Sequence, residues 1–397
     1  MRIPKLIFAL FCLIIFSMAI SAQESIQVSY ERNFIRASLQ GKTGVLLDAA
    51  RDEESSVFLG GLYEYALQFA LSNSVILRDD PDLILLVSTA ARGAGLLGHR
   101  DSTESLLALF NLLHDSHSRV EILGALAILG TGNSNVTESL NRILRDELIS
   151  FRAGTSPDTP VLRALINALG TLGEESSFPV LFSALTSSYP QAVIQDILRA
   201  LDSIRGNHKD YLIRVIVNNS FAEKAAAFRL GAYNERLSPS DRGEIAQAAL
   251  EAALGAALPE RSPEASLASS LRYDAINLLT RLRWTTASSL AIRNFYRVQM
   301  DFMNESVPRE RLLEAIACLG VMGTTEAAQA LILQLGYKNS QTESSGEYDE
   351  AVMLALINAL GELGDKAAFD HLLYISYLNY HDRIQASARE ALNRLRW

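Results

Sequence analysis

Apolar residues recur at every third or fourth position along most of the chain, the spacing of one face of an α-helix. Many of these stretches end in a similar glycine-containing motif. ALINALGTLG at 164–173 and ALINALGELG at 355–364 match at nine of ten positions, and related motifs occupy 88–98, 123–130 and 315–323. A few polar residues and a second amphipathic stretch follow each of them. No alternating strand pattern is convincing, so the sequence predicts an all-α protein built from pairs of helices.

The spacing of these motifs defines a repeating unit. Their final glycines are Gly98, Gly130, Gly173, Gly206, Gly323 and Gly364, and RLRW places Trp284 and Trp397 at equivalent positions. Most intervals fall between roughly 32 and 43 residues, and a longer gap holds two units, with RLGAYNERLS at 229–238 as the missing node. We therefore expect about eight helix pairs, with glycine as a left-handed cap at the end of each first helix.

Prolines support the proposed helix starts. Asp80 precedes Pro81, Thr159 precedes Pro160 and Ser262 precedes Pro263. Proline suits the first turn of a helix, and small polar residues suit the cap before it. None of these prolines interrupts a periodic segment.

The segment RGAGLLG at 92–98 matches the G-x-G-x-x-G pattern of dinucleotide-binding turns. Such a turn needs its first glycine directly after a strand. Here STAAR separates the apolar run 83–87 from Gly93, and Asp80 with Pro81 opens a helix of about four turns. The sister motifs LGTLG and LGELG lack the triple glycine. We therefore interpret RGAGLLG as the end of a helix.

The repeated segments RALINALGTLGEESSFPVLFSAL, EAIACLGVMGTTEAAQALILQL and ALINALGELGDKAAFDHLLYISYL resemble HEAT repeats. They are most similar to the short class that also occurs in phycobilisome-lyase-type proteins. The resemblance covers 84–397 well and 41–80 weakly, and the units at 222–257 and 265–303 depart from it. It implies an α-α superhelix of the HEAT/armadillo-like solenoid type. It does not imply a function, because such arrays bind many different partners, and no catalytic residue carries over.

The N-terminus has the pattern of a secretory signal peptide. MRIPK is positively charged, LIFALFCLIIFSMAI is an apolar run, and a plausible cleavage site follows at Ala22. We predict a signal peptide over 1–22, an N-terminal helix or arm over 23–40 and the HEAT-like solenoid over 41–397. An uncleaved membrane anchor is the alternative interpretation of the leader. Cys318 is then the only cysteine of the mature chain, and we expect it to be buried and inert, which suits an exported bacterial protein of the periplasm.

Charge and motif content argue against several functions. The formal net charge is −9, and no cluster of lysine and arginine is present, so nucleic acid is not an expected partner. The sequence contains none of the usual nucleophile, zinc-protease or phosphate-loop motifs. His114, Asp115 and His117 could share a helix face, but they fall where a helix is expected to end. We predict no catalytic residue, no metal site and no cofactor.

Two features suggest where a protein partner would bind. Long connections at 150–160, 257–265, 301–310 and 336–350 each join a second helix to the next first helix, so they would lie along one edge. Aromatic residues also recur on second helices, which line the concave face of HEAT-like arrays. We select Phe295, Tyr296, Tyr374 and Tyr377 as candidate contact residues. Drift in loop length and core packing are the alternative explanations.

The predicted function is an exported, non-catalytic scaffold or adaptor that binds another cell-envelope protein, whose identity the sequence does not reveal. After cleavage of the leader, no segment is expected to span a membrane. One alternative is an envelope-anchoring protein that contacts peptidoglycan or lipid. Another is an enzyme with a site built from the long loops. The chain also ends at Trp397 after an unpaired first helix, so this end must either fold back or dock on a partner.

Overall fold

The computed structural model describes residues 26–396, except 53, 54, 56, 78, 260 and 261. All regular elements in these residues are helices, joined by short 3₁₀ turns and one isolated bridge between Asp365 and Arg396, which confirms the all-α prediction. The predicted signal peptide over 1–22 and the end at Trp397 lie outside the described residues. Residues 26–36 form a helix, α1, within the segment predicted as an N-terminal helix or arm.

The chain divides into two compact units, Met1–Gly206 and Asn207–Trp397. After α1, the first unit contains α2 (Leu39–Arg51), α3 (Leu59–Leu77), α4 (Pro81–Leu97), α5 (Thr103–Leu112), α6 (Ser116–Leu129), α7 (Ser134–Arg152), α8 (Thr159–Leu172), α9 (Phe178–Leu185) and α10 (Gln191–Ser203). Its even-numbered helices α2 to α10 pack against one another in succession. The odd-numbered helices α3 to α9 form a second row of successive contacts.

The second unit has the same alternation. It contains α11 (Lys209–Asn218), α12 (Phe221–Ala232), α13 (Pro239–Gly255), α14 (Pro263–Leu282), α15 (Ser288–Met303), α16 (Arg309–Gly320), α17 (Thr325–Ser345), α18 (Glu350–Leu363), α19 (Phe369–Tyr374) and α20 (Asp382–Asn393). Helices α12, α14, α16, α18 and α20 form its even row, and α11, α13, α15, α17 and α19 form its odd row. Within each unit, neighbours in the chain are therefore also neighbours in space.

The two glycines of the LGTLG motif have different roles. Gly173 caps α8 in the left-handed conformation, at φ 64°, and its N–H bonds to the carbonyl of Leu169. Gly170 lies one turn earlier and faces the next even helix. A Cβ atom at Gly170 would lie 2.9 Å from the Cα atom of Ala200 on α10. The absence of a side chain is what allows the two helix backbones to approach this closely.

The same close approach recurs along both even rows. A Cβ at Gly95 would lie 3.0 Å from the Cα of Ala125, and a Cβ at Gly361 would lie 3.0 Å from the Cα of Ala391. In both cases the alanine follows its glycine by 30 residues, as Ala200 follows Gly170. The repeated motif thus encodes both the end of a helix and its contact with the next helix of the row.

The segment RGAGLLG lies at the end of α4, which confirms the interpretation as a helix end. Gly98 caps the helix at φ 68°, and its N–H bonds to carbonyls of the last turn. Gly93 lies against the ring of Tyr63, and Gly95 lies against Ala125. All three glycines therefore have structural roles in helix packing or capping.

Most predicted helix boundaries agree with the structure. Asp80 and Ser262 cap α4 and α14 as expected, with Pro81 and Pro263 at the first helical positions. At α8 the capping side chain is that of Asp158, not Thr159, since the Asp158 carboxylate accepts the N–H of Val161. Asp115 caps α6 by accepting the N–H of Ser118.

Several predictions need correction. Gly130 ends α6 with a negative φ, and the left-handed conformation belongs to Gly132. The helices α10 and α16 end at the caps Ile204 and Val321, and the positive-φ residues Gly206 and Gly323 lie two residues further on. The segment 336–350 is not a long connection, because α17 continues through Ser345. Buried polar contacts hold this extension: the Asn339 side chain donates to the carbonyl of His371 at 3.2 Å, and the Thr342 hydroxyl lies 3.0 Å from the hydroxyl of Tyr380.

Candidate functional site

Large apolar side chains are exposed on three consecutive odd-row helices of the second unit. They are Tyr296, Met300 and Met303 on α15, Leu333 and Tyr337 on α17, and Tyr374 and Tyr377 at α19 and the 3₁₀ turn that follows it. We name this set the apolar stripe. The spacing on each helix is three or four residues, so the members on one helix share a face. The largest exposed fraction is 74%, at Tyr377.

The opposite face of α15 packs into the core. Phe295 and Val298 have no exposed surface, and Asn294 is buried beside them. The selection of Phe295 as a partner contact is therefore wrong for the folded chain: adjacent helical residues point about 100° apart, and Phe295 points inward where Tyr296 points outward. Tyr296 is 42% exposed, and Tyr374 is 39% exposed. A contact role for Tyr296, Tyr374 and Tyr377 stays a prediction.

Polar contacts join the helices that carry the stripe. The side chains of Gln299 on α15 and Gln334 on α17 are hydrogen-bonded. The Tyr374 hydroxyl donates to the Glu343 carboxylate of α17 at 2.9 Å. This hydrogen bond to a carboxylate raises the pKa of the Tyr374 hydroxyl. These contacts join α15 to α17 and α17 to the α19 segment.

Of the cavities that open where odd helices connect to the next even helices, two are lined by paired arginine and carboxylate side chains. The first has a volume of about 790 Å³ and lies at the start of α18. Arg309 pairs with Asp349 at 3.5 Å, and Arg383 pairs with Glu350 at 3.3 Å, so these lining cations already have anionic partners. The ring of Tyr348, another lining residue, packs edge-on against Tyr380.

The second cavity has a volume of about 520 Å³ and lies among α13, α14 and α15. Arg272, Arg297 and Asp301 contribute its charged groups. Arg272 is 93% buried, and its Nη2 donates to Asp301 Oδ2 at 3.2 Å. Arg297 Nε donates to the other oxygen of Asp301 at 3.3 Å. Two guanidinium groups therefore share one carboxylate, which leaves this cavity with an excess of positive charge among its described lining residues.

The predicted connections contribute to these cavities. Residues from 257–265 and 301–310 line the second cavity, and residues from 336–350 line the first. The connection 150–160 belongs to the first unit, where Phe151 stacks on Tyr189 with ring centroids 4.1 Å apart. The ranges 257–265 and 301–310 therefore contribute connections between helices to the second cavity, whereas most of 336–350 belongs to α17.

Several residues of the surface were not anticipated. Met300, Met303, Leu333 and Tyr337 lie on the same helices as the predicted aromatic residues, and their three- and four-residue spacing was the available signal. Arg272 gave no such signal, because a single arginine inside an amphipathic helix usually indicates a solvated face. Its burial depends on Asp301, which is 29 residues away in the chain.

The structure shows few other candidates for chemistry. In the described part of the chain, no helix is both long enough and apolar enough to cross a bilayer. Over the same residues, no group of three or more His, Cys, Asp and Glu side chains is arranged to hold a metal ion. Cys318 is fully buried, and burial raises the pKa of its thiol to about 11.

No protein-family model matches the chain, and no curated protein matches its sequence. Among solved structures, it is similar to the crystal structure of an engineered protein, with 15% sequence identity and a TM-score of 0.32. The alignment covers 90% of this chain and 99% of that chain. We draw no functional conclusion from a similarity at this level.

Proposed function

We propose that the protein is a non-catalytic scaffold or adaptor that binds another protein of the cell envelope through the apolar stripe and the adjoining edge. The observation that carries this proposal is the exposure of tyrosine, methionine and leucine side chains on successive odd-row elements, namely α15, α17 and the α19 segment. Exposed apolar patches of this kind mark interaction surfaces on soluble proteins. Tyrosine and methionine are also enriched at protein interfaces.

The fold supports the same proposal. We infer a HEAT-like solenoid, in which the even and odd rows are the two layers of a stacked array. The 30-residue spacing between Gly95 and Ala125, Gly170 and Ala200, and Gly361 and Ala391 supports a repeated packing unit. In such an array the second helices line the concave surface, which is the surface that these proteins use for extended contacts. The apolar stripe belongs to that row.

The proposed location is the bacterial periplasm, after removal of residues 1–22. The leader pattern and the single cysteine of the remaining chain support this assignment. The net charge of −9 favours a protein partner over a nucleic acid.

Photo-crosslinking in the native host tests the proposal. A photoreactive amino acid would replace Tyr296, Tyr337 or Tyr377 in turn, and mass spectrometry would identify the captured protein. Asp274 and Ala317 are matched control positions, because they are exposed on the even helices α14 and α16. We expect one dominant envelope protein at all three stripe positions and little of it at the controls.

A triple variant provides the complementary test. Tyr296→Ser, Tyr337→Ser and Tyr377→Ser together should abolish co-purification of that partner while the circular dichroism spectrum stays unchanged. Equal capture at stripe and control positions, or undiminished co-purification of the triple variant, would refute the assignment of the stripe. Membrane or peptidoglycan association that persists after loss of residues 1–22, without a captured protein, would favour an anchoring role instead.

A further inference from the structure

We propose that the cavity around Arg272 binds the C-terminal carboxylate of the partner chain, with the last apolar side chain of that partner inside the cavity. This inference rests on the proposed adaptor function, and it specifies the chemistry of the partner. It is carried by an unusual set of groups at the junction of α13, α14 and α15.

Arg272 is positioned before any ligand arrives. Its Nη2 donates to Asp301 at 3.2 Å and to the Tyr273 hydroxyl at 3.1 Å. Its guanidinium carbon also lies 5.0 Å from the centre of the Tyr273 ring. The guanidinium carbon of Arg311 lies 4.1 Å from the same ring centre, so the tyrosine contacts two cations. The side chain of Arg272 is therefore buried and in contact with both Asp301 and Tyr273.

Arg272 nevertheless retains an unused donor. Its Nε is buried and has no hydrogen-bond partner. A buried donor without a partner costs about 1–3 kcal/mol, and more when the group is charged. The arginine also lines the cavity. Because Nε itself has almost no accessible surface, a ligand would meet the part of the guanidinium that lines the cavity, and a carboxylate matches this planar group better than a single carbonyl does.

The charge balance of the cavity favours an anion. Among the described residues that line it, the positively charged side chains are Arg272 and Arg297, and the negatively charged one is Asp301. Arg297 is only partly engaged, because its side chain is 61% exposed and its ion pair with Asp301 measures 3.3 Å. A bound carboxylate would balance the excess charge and leave the Asp301 pairs intact.

The remaining walls suit the end of a peptide. Leu254, Leu258, Ala268 and Val307 provide apolar surface, and the volume of about 520 Å³ lies within the usual range of ligand sites. Hydroxyl groups of Ser269 and Ser306 also line the cavity, and they can bond to backbone amide groups. The alkyl chain of a fatty acid has no group that can form hydrogen bonds with these serine hydroxyls.

The cavity adjoins the apolar stripe. Arg297 and Asp301 lie on α15, and Met300 of the stripe is three residues from Arg297, so the two side chains are neighbours on the helix surface. A partner chain that ends in the cavity could therefore continue along Tyr296 and Met300. This continuity is the reason to assign the carboxylate to a protein C-terminus and not to a free acid.

Fluorescence anisotropy on the full mature chain tests the proposal. The probe is a pool of fluorescein-labelled decapeptides with random internal positions and leucine at the last position, made either with a free carboxylate or as the C-terminal amide. We expect the carboxylate pool to bind and the amide pool to bind about tenfold more weakly, as is typical when a charge-assisted bidentate contact is lost. Dodecanoate is titrated separately as the fatty-acid probe.

Three variants make the result specific. Arg272→Gln should remove the preference for the carboxylate. Arg272 is buried and its replacement could impair folding, so Arg297→Gln is the second variant. It should weaken the binding of the carboxylate pool about threefold. Arg293→Gln is the matched control, since Arg293 is exposed on the same helix and does not line the cavity. It should leave both pools unchanged.

The outcomes separate this inference from the proposed function. Equal binding of both pools, or no binding of the carboxylate pool up to about 1 mM, overturns the inference. Binding of dodecanoate that depends on Arg297, without binding of the peptides, reassigns the cavity to a free acid and also overturns it. If the stripe still captures a partner by crosslinking in any of these cases, the adaptor function stands and only the carboxylate site fails.

Discussion

Replacing Gly170 with alanine should destabilise the first unit, although alanine is the better helix former. Gly170 lies in the last turn of α8 and faces α10. An added Cβ would lie 2.9 Å from the Cα of Ala200 and 3.0 Å from its Cβ. Both neighbouring atoms are fixed by the α10 backbone, so neither can move aside unless the helix itself moves.

The expected magnitude follows from two opposing effects. Alanine in place of glycine inside a helix stabilises by about 1 kcal/mol. Inserting a methyl group into a close helix contact costs about 1–3 kcal/mol. Because the contact is with backbone and not with a flexible side chain, we take the upper part of that range. The net loss is then about 1–2 kcal/mol, or a fall of about 2–8 °C in melting temperature for a unit of this size.

Gly124 provides the matched control. It lies within α6 of the same unit, and an added Cβ there would meet no atom within 4 Å. Gly124→Ala should therefore raise the melting temperature, since only the helix-propensity effect remains. Thermal unfolding followed by circular dichroism at 222 nm measures both variants against the parent chain.

The pair of variants decides the argument. If Gly170→Ala raises the melting temperature as Gly124→Ala does, the close approach is not constraining and the proposed role of the first motif glycine is wrong. A double variant with Ala200→Gly tests the contact itself. It should recover part of the loss, because it removes one of the two crowded atoms, and additive effects would contradict a direct contact.

Three further predictions concern single side chains. Tyr189→Phe should stabilise the first unit by about 1 kcal/mol at neutral pH, because the buried Tyr189 hydroxyl has no hydrogen-bond partner. Burial raises the pKa of that hydroxyl from 10.0 to about 12, so the parent chain should lose stability as the pH rises from 10 to about 12. The phenylalanine variant has no hydroxyl and should lack this contribution to the pH dependence. Urea titrations of both chains at pH 7 and pH 11 measure the difference. Phe295→Ala should lower the free energy of unfolding by about 3–5 kcal/mol, because Phe295 is fully buried. Tyr377→Ala should change it by less than about 0.5 kcal/mol, because Tyr377 is exposed. Similar losses for both variants in thermal unfolding would contradict the assigned faces. Iodoacetamide should alkylate Cys318 only in unfolded protein, because the thiol is fully buried and about 0.1% of a thiol with a pKa near 11 is thiolate at pH 8. Peptide mass spectrometry measures the labelling, and rapid alkylation of the native chain would refute the burial of Cys318.

The all-α architecture was predictable because its signals are local. Helix propensity, apolar spacing and capping residues act within a few positions, so Asp80 with Pro81 and Ser262 with Pro263 mark helix starts without reference to the rest of the chain. The motif glycine Gly173 likewise marks a helix end by its own conformational freedom. In a fold whose contacts join near neighbours in the chain, such local signals also determine much of the packing order.

The candidate surface was only partly predictable. Periodicity identifies an amphipathic helix, but α15 carries apolar residues on two faces, and only contacts with neighbouring helices decide that Phe295 is buried and Tyr296 is exposed. The extension of α17 was missed for the same reason, because its polar residues are held by Tyr380 and His371 from a later part of the chain.

The sequence by itself determined the helices and most of their caps, since each depends on residues close together in the chain. The contact between a motif glycine and an alanine 30 residues later depends on the packing of the even helices. The tertiary structure alone decided which apolar faces stay exposed and where charge is buried. Arg272 is the clearest case: nothing near it in the sequence predicts a buried guanidinium, and its position depends on Asp301 of the following helix. A buried charge requires a partner at hydrogen-bond distance, and that partner is specified only when the helices pack.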